Sequence, residues 1–356
     1  MMRARSLPSY RVISSAGLLD FTARIMETGP VMGPMERPDQ PGFHVFDILR
    51  RPEDLVLQYT TTTMPPKKAF FPPTETVFRF TSGDPPSLEP VRGDPPRVLL
   101  GVHPCDLSAI DALDRAYSFP PPDRRWLHNR SRSVIVGVDC FPDEYCFCDS
   151  LGVSQARRPC DCFLTEIERG YLVEIYTEAG EELLADAATS EAQGQDFLEA
   201  EDRRRQKNLG FRGRLEADPD RLADFLEAGT FREIWEEIAA RCYSCGSCNT
   251  TCPACFCFTM DDVFDWDLQS GERRRAWDAC QLLDFAAVAG GHRFRGERWQ
   301  RVRHRWHRKF LYLHRRFGRP FCTGCGRCSR ACTADINILD ETNRIIAAAT
   351  KGRAHG

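Results

Sequence analysis

The sequence predicts an α/β domain followed by a mainly α-helical domain. A short apolar run at residues 98–102 precedes a segment with helical spacing of apolar residues, 106–116, and a second apolar run follows at 134–138. Strand, helix and buried strand in this order indicate a βαβ unit with parallel strands. We therefore place the α/β domain at residues 1–210 and the helical domain at residues 211–356.

A polar segment separates the two predicted domains. Residues 186–220 are rich in charge and are interpreted as a linker. The next segment has Ile234, Trp235 and Ile238 on one helical face and runs directly into Cys242. This spacing predicts a helix that leads into the cysteine-rich part of the chain.

Cysteine usage limits the class of protein. The chain has 17 cysteines in 356 residues, an apolar content of 42% and a net charge of −3. Residues 1–26 lack the apolar core of an export signal, and no stretch approaches the roughly 20 apolar residues that cross a bilayer. We therefore expect a cytoplasmic protein without a membrane span. Clustered cysteines in that compartment indicate metal ligands more often than disulfides.

Two copies of one cysteine spacing stand in the last third of the chain. The first motif is Cys242, Cys245, Cys248 and Cys252, and the second is Cys322, Cys325, Cys328 and Cys332. Three cysteines at this spacing surround one [4Fe–4S] cluster, and the fourth reaches the other cluster in two-cluster ferredoxins. We assign Cys242, Cys245, Cys248 and Cys332 to cluster 1, and Cys252, Cys322, Cys325 and Cys328 to cluster 2. Structural zinc is the alternative, but it would leave four of these cysteines without a role.

The spacing between the motifs favours an α-helical ferredoxin arrangement. Cys252 and Cys322 lie 70 positions apart, which is too far for a compact bacterial ferredoxin core. Gly246, Gly324 and Gly326 suit loops whose backbone must approach a cluster closely. Thr333 stands where a proline usually follows the fourth cysteine.

A third cluster is predicted at the edge of the α/β sheet. Cys105 and Cys140 each follow one of the two apolar runs, and Cys146 and Cys148 lie just beyond. Parallel neighbouring strands end at the same edge, where open α/β sheets bind cofactors. The alternative is that these four are small buried hydrophobic residues. In a cluster, Cys160 or Cys162 could replace one of the four.

The remaining cysteines and the basic segment have less specific patterns. Cys255, Cys257 and Cys280 are interpreted as packing residues or residues around a cluster. Residues 292–319 are rich in arginine and carry an apolar stripe. The stripe consists of Trp299, Val302, Trp306, Phe310, Leu313 and Phe317. We expect a helix whose stripe is core and whose arginines offset cluster charge or dock an acidic partner; an iron–sulfur sensor that binds nucleic acid is the disfavoured alternative.

No motif for substrate chemistry is present. The sequence lacks a dinucleotide fingerprint, a P-loop, a nucleophile elbow and a zinc-protease helix. We therefore expect no nucleotide or flavin in this chain and no complete active site. This favours an electron carrier over a self-sufficient enzyme.

The motifs together resemble a known family. The chain is similar to the iron–sulfur beta subunit of soluble NAD(P)-linked nickel–iron hydrogenases (sulfhydrogenases) and to the related iron–sulfur subunit of anaerobic sulfite reductase. The matching stretches are residues 67–75, 101–110, 146–148, 242–248, 252–257, 277–280, 287–295 and 322–328. The resemblance implies electron transfer between a catalytic partner and a FAD/NAD(P)-binding subunit. The catalytic partner would be a nickel–iron hydrogenase, a sulfite-reducing haem subunit or a heterodisulfide-reductase-type module.

Overall fold

A computed structural model describes residues 4–229 and 231–354 of the chain. The strands are β1 (Ala4–Ile13), β2 (Val31–Arg37), β3 (Gln40–Ile48), β4 (Thr74–Thr81), β5 (Ser87–Pro90), β6 (Val98–Val102), β7 (Val134–Val138), β8 (Cys162–Ile167), β9 (Gly170–Thr177), β10 (Thr189–Glu191), β11 (Phe258–Phe264) and β12 (Ser270–Trp277). The α-helices are α1 (Ser15–Glu27), α2 (Pro104–Ser118), α3 (Arg124–Ser131), α4 (Glu178–Leu184), α5 (Gly194–Leu209), α6 (Leu222–Glu227), α7 (Arg232–Arg241), α8 (Ser247–Thr250), α9 (Arg298–His307), α10 (Leu313–Phe317), α11 (Arg327–Arg330) and α12 (Ile338–Ala354). A π-helical turn, Arg308–Tyr312, joins α9 to α10, and the three together are called the basic helix below. In the described residues, no helix combines the length and apolar character needed to cross a membrane.

The larger sheet contains the predicted βαβ unit. Its strand order is β10-β1-β9-β8-β7-β6-β2-β3, and β2, β6, β7 and β8 run parallel. Leu99 of β6 lies opposite Ile135 of β7, and α2 connects the two strands. The parallel pairing predicted for the two apolar runs is confirmed.

Helices cover both faces of this sheet. Val98 and Leu100 of β6 pack with Phe21 of α1 on one face, whereas Leu99 packs with Leu107 and other residues of α2 on the opposite face. All five residues of β6 are buried. Burial on both faces explains why β6 appears in the sequence as an uninterrupted apolar run.

Gly101 turns β6 towards α2. It has a φ of +86°, and a Cβ at this position would lie 2.8 Å from Leu57 Cδ2 and 2.9 Å from Pro34 Cδ. Only glycine fits both the backbone angle and the space. The register with β7 shifts at this point, and Cys105 follows in the first turn of α2 at the carboxyl edge of the sheet.

A helical core supports the two cysteine motifs. Trp235 of α7, Trp306 of α9, Phe310 of the π-helical turn and Ile345 of α12 belong to one buried cluster. Trp306 Nε1 donates a hydrogen bond to Thr342 Oγ1 (3.1 Å) within this core. The expectation that the apolar stripe of the basic helix is core rather than a stacking surface is therefore confirmed.

The prediction of a mainly helical C-terminal domain is not confirmed. Strands β11 and β12 form a hairpin within residues 211–356, and β12 pairs with β4, so that a four-stranded sheet has the order β11-β12-β4-β5. Buried Arg275 of β12 donates to Glu75 of β4 (Nε to Oε1, 2.8 Å), which further ties the two parts together. The division at 210/211 stays a prediction.

The linker interpretation of residues 186–220 was wrong for its central part. Residues Gly194–Leu209 form α5, and Ala200 of this helix packs against Ile167 and Leu172 of the larger sheet. The helix has few apolar residues and contacts the sheet along a narrow stripe, so its pattern resembles that of a solvated segment.

Candidate metal centres

The two cysteine motifs fold into equivalent loops. Ser244 and Gly246 in the first loop have φ values of +56° and +80°, and Gly324 and Gly326 at the matching positions of the second have +67° and +68°. Each loop ends in a single helical turn, α8 or α11, and these two turns contact each other. The repeated spacing therefore produces the same backbone path twice, and the fold brings the two copies together.

The first loop and the end of the second line one cavity. This first ferredoxin cavity is bordered by Cys242, Cys245, Cys248 and Cys332, with Cys328 beside them. The backbone N–H of Ser244 donates to Cys242 Sγ (3.3 Å), and that of Ile336 donates to Cys332 Sγ (3.4 Å). Such N–H···S contacts are typical of cluster ligands. The four residues assigned to cluster 1 thus surround a common space.

The four cysteines assigned to cluster 2 lie close enough to affect one another electrostatically. Burial raises the pKa of Cys322 to about 12, with smaller upward contributions from Cys328 and Cys252. Burial also raises the pKa of Cys325 to about 11, and Cys252 and Cys328 add to that shift. Cys252 itself accepts a hydrogen bond from Lys309 Nζ (3.0 Å).

The four cysteines predicted for a third cluster line a single enclosed space. This sheet-edge cavity is bordered by Cys105, Cys140, Cys146 and Cys148. Cys325 of the second ferredoxin loop lines it as well. Residues from two strand ends and from the loop after β7 therefore meet at the carboxyl edge of the parallel strands.

Polar side chains around the sheet-edge cavity suit a cofactor. Buried His103 stacks on Tyr59 with ring centroids 3.8 Å apart, and its Nε2 has no hydrogen-bond partner within the described residues. Lys207 Nζ donates to Asp139 Oδ1 (2.5 Å) and to the Ser154 carbonyl (2.7 Å). Burial opposes the charge of Lys207, but the facing Cys140 and Asp139 raise its pKa above the ordinary value.

A buried ion pair and a close backbone approach join the sheet edge to the second ferredoxin loop. Arg327 donates two hydrogen bonds to Asp106 (Nη1 to Oδ1, 2.7 Å; Nη2 to Oδ2, 2.8 Å). The Phe147 N–H donates to the Gly324 carbonyl (2.9 Å), and a Cβ on Gly324 would lie 2.5 Å from the Cys148 nitrogen. The two predicted cluster sites are therefore built against each other.

The donor geometry fits clusters better than single metal ions. In the described part of the chain, no three His, Cys, Asp or Glu side chains converge as ligands of one ion do. A four-iron cluster has its thiolates on four separate irons, and the first ferredoxin cavity and the sheet-edge cavity are each lined by the four assigned cysteines and one more. Burial raises the pKa of Cys140 to about 11, so ligation must displace a proton there. A hydrogen bond with Ser247 instead lowers the pKa of the exposed Cys245.

Comparisons with known proteins identify the family. The model of the 4Fe-4S dicluster domain family matches residues 241–336. The chain is 35% identical over 343 residues to the sulfhydrogenase 2 subunit beta of Pyrococcus furiosus, and the match covers 93% of this chain and 98% of that relative. The chain belongs to the sulfhydrogenase beta-subunit family. It is therefore an electron-transfer protein of the 4Fe–4S type, as the resemblance in the sequence implied. No solved structure matched the chain.

The other five cysteines of this beta-subunit family member fall into two groups. Cys162 is the first residue of β8 and Cys160 lies just before it, and both are buried among apolar residues. Cys255, Cys257 and Cys280 line a separate cavity. The sequence did not indicate a shared position for these three, because Cys280 lies 23 positions beyond Cys257.

Three charged residues near the cysteines were not identified individually from the sequence. Lys207 lies in the segment interpreted as a linker, whereas Arg305 and Lys309 are two of many cations on the basic helix. Arg305 and Lys309 each stand next to a residue of the apolar stripe in the sequence. This position on the helix is the one signal from which their burial could have been predicted.

Proposed function

We propose that this chain is the electron-transfer subunit of a multisubunit cytoplasmic oxidoreductase and that it binds at least three [4Fe–4S] clusters. Cluster 1 would be held by Cys242, Cys245, Cys248 and Cys332, and cluster 2 by Cys252, Cys322, Cys325 and Cys328. Cluster 3 would be held by Cys105, Cys140, Cys146 and Cys148. Each cluster supplies a one-electron redox centre when bound.

The main support for this proposal is that cysteines assigned to one cluster also line the cavities of the other two. Cys328, assigned to cluster 2, also borders the first ferredoxin cavity. Cys325, from the same set, also borders the sheet-edge cavity. One of the cluster 2 cysteines therefore borders each of the two other predicted cluster sites, and a relay of one-electron carriers requires such neighbouring sites.

The first ferredoxin cavity is the side on which we expect a partner subunit. Cys245 is exposed, and the neighbouring Tyr243 has 69% of its surface accessible. The sheet-edge cysteines are more enclosed, with Cys105 and Cys148 buried. An exposed aromatic residue beside an accessible centre suits a protein interface.

The partners follow from the family rather than from this chain alone. The name of the Pyrococcus furiosus relative identifies it as a sulfhydrogenase subunit. This favours a nickel–iron hydrogenase as the catalytic partner over a sulfite reductase or a heterodisulfide-reductase-type module. A FAD/NAD(P)-binding subunit would be the other partner, since this sequence has no nucleotide fingerprint of its own.

Anaerobic purification of the native complex tests the function. We expect a brown complex that contains both a nickel–iron subunit, the site of hydrogen chemistry, and a flavin subunit, and that couples this chemistry to NAD(P) oxidation or reduction. A sirohaem subunit in place of nickel would redirect the proposal to sulfite reduction. A colourless chain with stoichiometric zinc would overturn it.

Single substitutions test the cluster assignment. Cys245→Ser and Cys146→Ser should each remove about four irons per chain, because each removes one ligand of a different predicted cluster. Cys162→Ala is the matched control, since this buried cysteine lies in the apolar core of the larger sheet. Unchanged iron in Cys146→Ser alone would remove cluster 3 and leave the two ferredoxin clusters.

A further inference from the structure

Three cysteines outside the twelve assigned ligands line one small cavity. Cys255, Cys257 and Cys280 border one space next to Cys252. The hairpin β11–β12 places Cys257 beside Cys280: its first residue pair is Phe258 opposite Trp277, and the Asp278 N–H donates to the Cys257 carbonyl (3.0 Å). The backbone thus fixes the approach of two cysteines that are distant in sequence.

Buried cations line the same cavity without acidic partners. Arg305, Arg308 and Lys309 border it, and Arg305 and Lys309 are each only 4% exposed. In the described structure none of the three forms an ion pair with a carboxylate, and Arg305 Nε has no hydrogen-bond partner. Lys309 Nζ donates to Cys252 Sγ (3.0 Å), so cluster 2 would balance part of this charge. Burial of charge without a partner is costly, and a negatively charged group in this cavity would balance the charge of Arg305.

A buried amide orients two of the three sulfurs. Asn249, only 3% exposed, donates from Nδ2 to Cys280 Sγ (3.2 Å) and to Cys255 Sγ (3.5 Å). Hydrogen bonds to thiolate sulfur are a common part of the surroundings of iron–sulfur clusters and tune them. Asn249 follows Cys248, so the same loop would serve both the first ferredoxin cavity and this one.

The two remaining cysteines show what cysteine packing looks like in this chain. Cys160 donates its S–H to the Arg157 carbonyl (2.5 Å), and Cys162 belongs to an apolar cluster with Val136 and Leu164. Neither receives a hydrogen bond from a side-chain amide in the described residues. The difference separates the three cavity-lining cysteines from ordinary core residues.

We propose that Cys255, Cys257 and Cys280 bind an additional iron–sulfur cluster through three thiolates, with the cations of the basic helix balancing its charge. The proposal deepens the proposed function, since it adds a redox centre to the same subunit. Each of the three thiols would lose its proton on ligation. Three-thiolate ligation suits a cuboidal cluster in which one iron is absent or is held by a group other than cysteine.

Iron and sulfide analysis of the anaerobically purified complex tests the proposal. With three other clusters present, the chain should contain about fifteen or sixteen irons rather than about twelve. Cys257→Ser and Cys280→Ser should each lower iron by about three or four and acid-labile sulfide by about four per chain, with loss of one EPR signal. Cys160→Ser is the matched control and should retain the full content.

The measurements on the unaltered chain keep the test valid if a variant does not fold. About twelve irons by native mass spectrometry, in a chain whose Cys146→Ser variant loses about four of them, would overturn the additional site. One zinc per chain or a Cys257–Cys280 disulfide would each do the same. The same holds for unchanged iron and EPR signals in folded Cys257→Ser and Cys280→Ser. None of these results affects the proposed function, which fails instead if Cys245→Ser leaves the iron content unchanged.

Discussion

The sheet-edge cavity and the basic helix differ in the partners of their buried cations. At the sheet edge, Lys207 is paired with Asp139 and Arg327 with Asp106, and all four side chains are buried. On the basic helix, Arg305 and Lys309 are equally buried, but within the described residues neither has a carboxylate partner. One region has its buried cations paired with carboxylates, whereas the buried cations of the other have only sulfur and carbonyl partners.

This difference bears on the reduction potentials of the predicted clusters. Net charge around a cluster is one of the factors that set its potential. Unpaired cations stabilise the more negative, reduced form, so we expect higher potentials beside the basic helix than at the sheet edge. The sequence predicted that the arginines of this helix offset cluster charge or dock an acidic partner, and Arg305 and Lys309 are two cations of the helix that lie buried beside cysteines.

We expect the largest loss of unfolding free energy from a substitution that breaks a buried ion pair at the sheet edge. Arg327→Met leaves Asp106 buried without its partner, and loss of one member of a buried pair costs about 3–5 kcal/mol. Anaerobic urea unfolding of the chain should show this loss of unfolding free energy. Arg315→Met is the control, since its exposed pairs with Asp224 and Glu227 should be worth under about 1 kcal/mol each.

A double substitution separates lost pairing from lost packing. Arg327→Met combined with Asp106→Leu removes both charges and should recover much of the stability. If the double variant were as unstable as the two single losses added together, the pair would not be the reason for the effect.

The close approach between Gly324 of the second ferredoxin loop and Cys148 at the sheet edge predicts the next largest loss of stability. Gly324→Ala combines a left-handed backbone angle with a Cβ 2.5 Å from the Cys148 nitrogen. We expect a loss of about 2–4 kcal/mol of unfolding free energy and altered spectra of the clusters on either side. Gly318→Ala has a similar angle, a φ of +75°, but no neighbouring atom within 4 Å, so it should cost about 1–2 kcal/mol and leave the spectra unchanged. Equal losses of unfolding free energy in the two variants would show that the contact with Cys148 does not contribute to the effect.

The unpaired cations predict a smaller, electrical effect. Arg305→Met removes one buried positive charge beside the first ferredoxin cavity. A unit charge at about 8 Å and an effective dielectric constant near 20 is worth roughly 2 kcal/mol. The potential of the nearest cluster should therefore fall by tens of millivolts in EPR-monitored redox titration. Arg303→Met, on the exposed side of the same helix, should shift it far less, because solvent screens that charge. A rise in potential for Arg305→Met would contradict the charge argument.

Local pattern was enough to predict part of this molecule. The apolar runs at β6 and β7, the stripe on the basic helix and the cysteine spacing are all short-range signals, and the structure contains the corresponding elements. The hairpin β11–β12 has no such signal, because β12 is largely polar and β11 is mostly exposed, and β12 is held by pairing with β4. Likewise, the partners of Lys207 and Arg327 lie 68 and 221 positions away, so only tertiary structure could assign them.

The four-stranded sheet limits where this chain could be divided into two separately encoded parts. Strands β4 and β5 come from the first part of the chain and β11 and β12 from the second. A break near residue 210 would leave β12 and β4 each with an unpaired edge, and free edges invite association with other chains. We therefore expect that the dicluster segment does not fold well when it is moved into another protein, and that gene recombination keeps the two parts of this subunit in one chain.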